Sequence, residues 1–316
     1  MKRCLVTGGA GFIGSHIVDA LVKRKMRVVV LDNFSTGSML NLEAVRSKIK
    51  IVRGDIRNLR VVKNATKDVD YVFHLAANRA VLRSVDNPLE TNENNVTGTL
   101  NVLVAARDYG VKRVVYTSSS SVYGDNKKFP LNEAFKPMPE SPYAAQKLMG
   151  EYYAKLFYCL YGLETVSLRY FNVFGPRQNP ESKYSAVIPI FIDCVLKNKS
   201  PEIHWDGKQS RDFSYVDNVV EGNLKSMTAS SKVAGEVFNI ACHDEYSVLD
   251  IFNEIKFLLK KPHMRAKFTP KRKGDVRRTY ADIQKAKRLL NFKVKTRFKP
   301  GMRKTVAWFL STRGLK

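Results

Sequence analysis

Cysteine is scarce in this chain. The four in 316 residues, Cys4, Cys159, Cys194 and Cys242, lie far apart and form no CxxC pair. Such scatter suggests neither a disulfide framework nor a zinc site, so no metal is expected and a reducing cytoplasm fits best. Long apolar runs are missing too: none approaches the ~20 residues of a membrane-spanning helix. The stretch after Lys2 and Arg3 is too short for a signal peptide. Acidic residues are the most conspicuous shortage, with 29 Asp and Glu against 54 Lys and Arg and a formal net charge of +25. The imbalance is concentrated at residues 251–316, where 21 basic residues face three acids, Glu254, Asp275 and Asp282. A basic region of this kind could serve nucleic acid, an anionic membrane surface or an acidic substrate. It contains neither zinc-finger spacing nor a glycine-aromatic RNA signature. Nucleic acid is therefore not expected as a partner, weak association with an anionic surface stays open, and most of the charge reads as solvated surface.

What is present is a globular pattern, 44% hydrophobic with interspersed charge and no repeat or low-complexity tract. Residues 3–6 form a short apolar run, a glycine-rich turn follows, and residues 15–25 have helical periodicity. A continuous apolar run at 27–31 ends at Asp32. This is strand, turn, helix, strand, the opening of a doubly wound sheet. Buried-strand runs recur at 49–52, 71–75, 114–118 and 165–169, with helix-like segments between them, including 92–109 and 142–161. The expected class is α/β: a Rossmann-type parallel sheet with helices on both faces, joined to a smaller α/β substrate-binding domain. After Arg169 the alternation stops, and Pro176, Pro180, Pro189 and Pro201 punctuate shorter elements. The division expected is 1–170 for the large domain and mainly 171–316 for the second. Residues 211–260 partly rejoin the large domain, through a buried strand at 237–241, and a helix is expected at 250–259.

Two motifs carry chemistry. Gly8-Gly-Ala-Gly11-Phe-Ile-Gly14 sits between the first strand and helix, where backbone N–H groups at a helix start can approach a pyrophosphate. By itself it could also be a tight turn without ligand. Asp32, at the end of the second strand, would accept hydrogen bonds from an adenosine ribose and repel a 2′-phosphate, which favours NAD over NADP. Asp55 in Gly54-Asp55-Ile56 could hold the adenine amino group or be a plain loop aspartate. The second motif is Tyr143-Ala-Ala-Gln-Lys147, one helical turn apart on one face. A phenol is mostly protonated at neutral pH, and a nearby ammonium should favour the phenolate, making Tyr143 a proton-transfer group.

In sequence order these pieces resemble the extended short-chain dehydrogenase/reductase family. The segments that carry the resemblance are Thr7–Gly14, Asp32-Asn-Phe-Ser35, Gly54-Asp-Ile56, His74-Leu-Ala-Ala77, Asn94–Gly98, Thr117–Gly124, Pro142–Lys147 and Arg169-Tyr-Phe-Asn172. Gln209–Asp217 and Arg272-Lys-Gly-Asp275 look like the nucleotide-sugar members, above all the UDP-glucose/UDP-N-acetylglucosamine 4-epimerases. The likeness spans nearly the whole chain.

It implies a catalytic set of Ser119, Tyr143 and Lys147, with Ser119 four residues before the tyrosine of Val122-Tyr123-Gly124. It implies NAD contacts at Gly8, Gly11, Phe12, Ile13 and Gly14, then at Asp32, Asn33, Ser35, Thr36 and Gly37. Further NAD contacts are implied at Asp55, Ile56, Leu75, Ala76, Ala77, Arg79, Asn94, Thr117 and Phe171, besides Tyr143 and Lys147. For a UDP-sugar it implies Ser119, Tyr143, Asn172, Ala186, Val187, His204, Arg211, Arg272, Asp275 and Thr279. Where His204 is placed the family often has an aromatic against uracil, and Trp205 replaces a usual glycine. Ser120 and Ser121 stand where the family's dehydratases and decarboxylases commonly carry an acid, which favours epimerisation. The implied reaction is C4 epimerisation of a UDP-hexose through a 4-keto sugar with tightly bound NAD. Sugar dehydration or decarboxylation, and a non-catalytic binding protein, are the alternatives. Apolar residues Tyr152, Tyr153, Leu156, Phe157 and Leu160 exceed what one buried stripe needs, and a homodimer is expected.

Overall fold

The computed structural model describes residues 1–79, 81–180, 186–271 and 276–314. Six parallel strands come from the first half: β1 (Arg3–Thr7), β2 (Arg27–Asp32), β3 (Ile49–Arg53), β4 (Tyr71–His74), β5 (Arg113–Ser119) and β6 (Glu164–Tyr170). Their runs, such as Leu5-Val6 and Val114-Val115, are apolar on successive residues because both faces are covered by helices. One face packs Val6, Val28 and Val30 against Ile17, Val18 and Leu21 of α1 (Phe12–Lys23). On the other, Leu5, Val29 and Leu31 meet Val62 of α2 (Leu59–Thr66), Val102 and Leu103 of α5, and Phe157 of α6. Between α2 and α5 lie two short helices, α3 (Val81–Asp86) and α4 (Pro88–Asn92); α5 is Gly98–Asp108 and α6 is Pro142–Tyr161.

The helix expected over 92–109 is not continuous. A π-helical turn at Glu93–Thr97 separates α4 from α5, the kind of bulge that marks functional sites in other helices. By contrast α6 matches its expected bounds. The Ser141 side chain accepts from the Ala144 N–H, Pro142 occupies the first turn, and Gly162 closes the helix in the left-handed conformation at φ 70°.

From Asn172 the chain builds β7 (Asn172–Phe174), α7 (Val187–Leu196), β8 (Glu202–His204), β9 (Ser210–Tyr215) and α8 (Val216–Thr228). It then returns to the large sheet with β10 (Glu236–Ile240), which pairs in parallel with β6. The sheet order is β10-β6-β5-β4-β1-β2-β3, and α8 joins its core through Val219, Val220, Leu224 and Met227. Afterwards come β11 (Glu245–Ser247), α9 (Val248–Leu258), β12 (Lys267–Thr269), β13 (Arg278–Thr279), α10 (Gln284–Leu290) and α11 (Phe298–Ser311). Helix α9 starts two residues before its expected beginning because Ser247 and Asp250 form a capping box.

The second sheet is centred on β9, with β11 on one side and β7 and β13 on the other. Its register sets Thr279 opposite Arg211 and Asn172 opposite Phe213. A separate apolar core of Phe174, Phe191, Phe213, Phe252 and Phe298 supports it. The strand order of the large sheet reverses between β1 and β4, and the crevice at their carboxyl ends is where doubly wound sheets bind ligands.

Candidate active site

A cavity of about 320 Å³ opens at that crevice, lined by Gly8, Gly11, Phe12, Ile13 and Gly14 from the β1–α1 turn. The glycines are required by packing. Gly8 has φ +69°, and a Cβ on it would lie 2.7 Å from the Ala76 nitrogen; one on Gly14 would lie 2.2 Å from the Gly8 carbonyl oxygen. Helix α1 starts at Gly11 with no side-chain cap and no acid in its first turn. Its free N–H groups therefore face the cavity, which fits a pyrophosphate. Asp32 reaches the same cavity, fixed by the Ala10 N–H at 2.9 Å and the Phe34 N–H at 2.8 Å. Burial pushes its carboxyl pKa upward, opposed by those two bonds.

Of the residues expected at NAD, the cavity also collects Asn33, Ser35, Thr36, Ile56, Leu75, Ala76, Ala77, Arg79, Asn94, Thr117 and Phe171. Two are not among its lining. The Asp55 carboxylate is engaged by Arg57 at 2.9 Å and by Asn33 Nδ2 at 3.0 Å, and its pKa falls to about 2, chiefly through the Arg57 hydrogen bond. Its neighbours Gly54 and Ile56 face the cavity instead. Gly37 packs under the turn, where a Cβ would meet Ala10 at 2.9 Å.

Ser119, at the end of β5, and Tyr143 and Lys147, on α6, line the cavity together. Burial raises the Tyr143 pKa; the hydrogen bond from Ser119 and the charge of Arg79 pull it back. The Lys147 Nζ donates to the Thr117 carbonyl at 2.8 Å and lies 6.0 Å from the Tyr143 ring centre. Burial lowers the Lys147 pKa to about 7, with Glu151 opposing. The amine thus turns to a carbonyl, and Arg79 is a further cation whose charge favours the phenolate.

A second cavity of about 360 Å³ adjoins the first at Ser119, Tyr143, Tyr170, Phe171 and Asn172, and extends to Ser120, Ser121, Arg211 and Thr279. The Ser121 hydroxyl donates to Ser119 Oγ at 2.9 Å. Glu140, which the sequence reading did not single out, is the one acid among the described residues of this wall, and it accepts the Asp125 N–H at 3.2 Å. Thr279 Oγ1 is buried without a hydrogen-bond partner. Its neighbour Tyr280 turns away, stacked on His243 with its hydroxyl 3.0 Å from Nε2. Ala186 lines the first cavity, whereas Val187 starts α7 and is not part of the lining.

His204 lines neither cavity; its Nδ1 meets Thr269 Oγ1 at 2.7 Å. Trp205 takes φ +65°, the left-handed region that suits the glycine usual there, and its ring is flanked by Lys271 at 4.3 Å and Arg277 at 4.6 Å. Arg272 and Asp275 lie outside the described residues. Val81, at the start of α3, and Gln178 and Val276, from loops, also line the cavities; none belongs to a motif that the sequence displays.

A Rossmann-type sheet whose glycine turn, ribose-side aspartate and Ser–Tyr–Lys set share one crevice defines an NAD-dependent enzyme acting on a second, adjoining ligand. Residues 4–241 match the family described as NAD dependent epimerase/dehydratase. The chain is 36% identical over 311 residues to the UDP-glucose 4-epimerase of Mycolicibacterium smegmatis, covering 97% of this chain and 98% of that one. Among solved structures it is similar to the UDP-N-acetylglucosamine 4-epimerase of Methanobrevibacter ruminantium in complex with UDP-N-acetylmuramic acid. That match has 42% identity, a TM-score of 0.93, and coverage of 98% of this chain and 99% of that one. It is also similar to the UDP-glucose 4-epimerase of Thermotoga maritima with UDP-glucose, at 37% identity, a TM-score of 0.94 and coverage of 98% and 99%. The chain belongs to the NAD-dependent epimerase/dehydratase family, among its UDP-sugar 4-epimerases, and its cofactor is NAD.

Proposed function

We propose that the chain interconverts the C4 epimers of UDP-hexoses, UDP-glucose with UDP-galactose and UDP-N-acetylglucosamine with UDP-N-acetylgalactosamine. The observation that carries this reading is the position of Ser119 and Tyr143 on the wall shared by the two cavities. NAD, held by the glycine turn and Asp32, would supply a reversible hydride acceptor at C4 of the sugar. Tyr143, hydrogen-bonded to Ser119, takes the C4 hydroxyl proton and later gives it back, so one group serves as base and acid. Lys147 and Asp32 hold riboses of the cofactor. Arg211 holds the diphosphate while the 4-keto sugar turns over in the second cavity. Ser120 and Ser121 supply no acidic proton for a departing hydroxide, and Glu140, the one acid among the described residues of that wall, accepts the Asp125 N–H, which together weigh against dehydration. The room beside Thr279 admits an acetamido group.

Incubation with each UDP-sugar and separation of the products tests this. Epimer formation supports the reading; loss of water or carbon dioxide selects the dehydratase or decarboxylase alternative. Absence of conversion by protein that retains NAD selects the binding-protein alternative.

The same reading includes a homodimer in the cytoplasm. On α6, Phe157 belongs to the core and Tyr153 is half-buried, while Met149, Tyr152, Leu156, Tyr158, Leu160 and Tyr161 are 37–67% exposed. A monomeric mass in light scattering at micromolar concentration would overturn the dimer.

A further inference from the structure

His74 closes β4 and is 2% exposed, yet the chemistry above does not use it. Its ring lies between two hydroxyls: Thr7 Oγ1 is 2.7 Å from Nδ1 and Thr99 Oγ1 is 2.9 Å from Nε2. Proton counting fixes the Thr99 bond, and the burial that keeps the ring neutral then fixes the Thr7 bond. The Thr99 hydroxyl lies 2.6 Å from the Asn95 carbonyl oxygen, which can only accept, so the single Thr99 proton is committed there. Thr99 Oγ1 must then accept from His74, which places a proton on Nε2. On the other side, Thr7 Oγ1 accepts the Ala76 N–H at 3.2 Å and keeps its own proton to donate to Nδ1. The ring is neutral, with hydrogen on Nε2 and a lone pair on Nδ1. Burial, with the Lys147 charge adding, lowers its pKa to about 3, in keeping with that state.

The chain of bonds therefore runs one way, from the Ala76 amide through Thr7, His74 and Thr99 to the Asn95 carbonyl. At the far end Asn95 Nδ2 donates to the Asn78 carbonyl at 3.0 Å and to Gln146 Oε1 at 2.8 Å, and Asn95 Oδ1 accepts the Asn78 N–H at 2.8 Å. Gln146 precedes Lys147 on α6. Both ends thus grip the loop of Leu75–Asn78, which lines the first cavity.

We propose that neutral His74 is a positioning residue of the NAD site. Its one-donor, one-acceptor ring locks the Leu75–Asn78 wall to the glycine turn on one side and to the Tyr143–Lys147 helix on the other. This rests on the NAD-site reading above. The fully satisfied chain leaves the wall one low-energy arrangement, whereas the Nδ1–H tautomer sets the Nε2 lone pair against the Thr99 oxygen, and an imidazolium takes the Nδ1 acceptor from the Thr7 proton.

Two measurements on the full-length NAD-loaded protein test it. In ¹⁵N-labelled histidine spectra, with His74 assigned through His74→Gln, the ring should show the Nε2–H tautomer unchanged between about pH 5 and pH 9. An Nδ1–H tautomer, or an imidazolium forming in that range, overturns the proposal, and this measurement needs no turnover. Kinetically, His74→Gln offers the same acceptor and donor and should keep kcat within about tenfold. His74→Leu offers neither and should lose about 10²-fold in kcat and release NAD faster, with KM for UDP-glucose unchanged. Equal kcat in the Leu and Gln variants, or a loss confined to KM, overturns it. A wild-type protein that fails on every UDP-sugar refutes the functional reading, and the tautomer then decides the relay by itself.

Discussion

Replacing Glu151 with Gln should unfold this protein more readily than its single-atom size suggests. Glu151 and Arg169 are each 4% exposed in their side chains and meet in a forked pair, Nη2 to Oε2 at 2.7 Å and Nε to Oε1 at 2.8 Å. Ser118 also donates to Glu151. Burial works against the Arg169 charge, and Glu151 and the Tyr123 face 4.6 Å away hold it charged. Removing the carboxylate leaves that guanidinium buried and uncompensated, a loss of about 3–5 kcal/mol. In a chain this long each kcal/mol lowers Tm by roughly 2–4 °C, so a fall near 10 °C is expected in a thermal scan at saturating NAD. The double variant Glu151→Leu/Arg169→Met removes both charges. Since Arg169 Nη1 already lacks a partner among the described residues, the double variant should recover most of the loss. Urea unfolding of wild type, Glu151→Leu, Arg169→Met and the double variant gives the coupling directly. A single variant within about 1 kcal/mol of wild type, or a double variant as weak as the singles, refutes the reasoning.

Tyr143→Phe should lose ~10²–10⁴ in turnover while retaining NAD, and Ser119→Ala less; near-normal turnover by the Phe variant would remove Tyr143 as the proton-transfer group. Thr279→Tyr should suppress UDP-N-acetylglucosamine selectively and spare UDP-glucose; an unchanged ratio of the two rates would show that Thr279 does not limit the sugar. Lys147 has a folded pKa of about 7, below the ordinary 10.5. Between those values the unfolded chain holds a proton that the folded one lacks, so this residue makes stability rise with pH, by up to ~1.4 kcal/mol per unit. Subtracting urea unfolding data for Lys147→Met from wild type across that window should isolate the slope; a flat difference contradicts the buried, partly neutral amine. Gly150→Ala should destabilise despite better helix propensity, because its Cβ would lie 2.1 Å from the hydroxyl of the buried Tyr116. Overpacking of about 1–3 kcal/mol outweighs the ~1 kcal/mol gain, and a raised Tm would contradict it.

What the sequence by itself determined is local. The parallel strands were legible because a strand covered on both faces must be apolar at successive residues. Helix α6 could be bounded because Ser141, Pro142 and Gly162 each act within a turn of their own position. The glycine turn, Asp32 and the Tyr143–Lys147 spacing likewise need only their immediate neighbours. What the tertiary structure decided depends on residues far apart in the chain. Asp55 left two readings open, and its carboxylate is engaged by Asn33, 22 residues away, as well as by Arg57. Thr279 lines the second cavity while Tyr280 beside it stacks on His243, 37 residues away. His204 answers to Thr269, and the amine of Lys147 to the Thr117 carbonyl. The His74 tautomer follows from the proton committed at Thr99, on a different element. Local signals set each element because dihedral preferences and caps act over a few residues. Contacts at the site are set by packing and by hydrogen-bond satisfaction across the whole core, which no short stretch of sequence encodes.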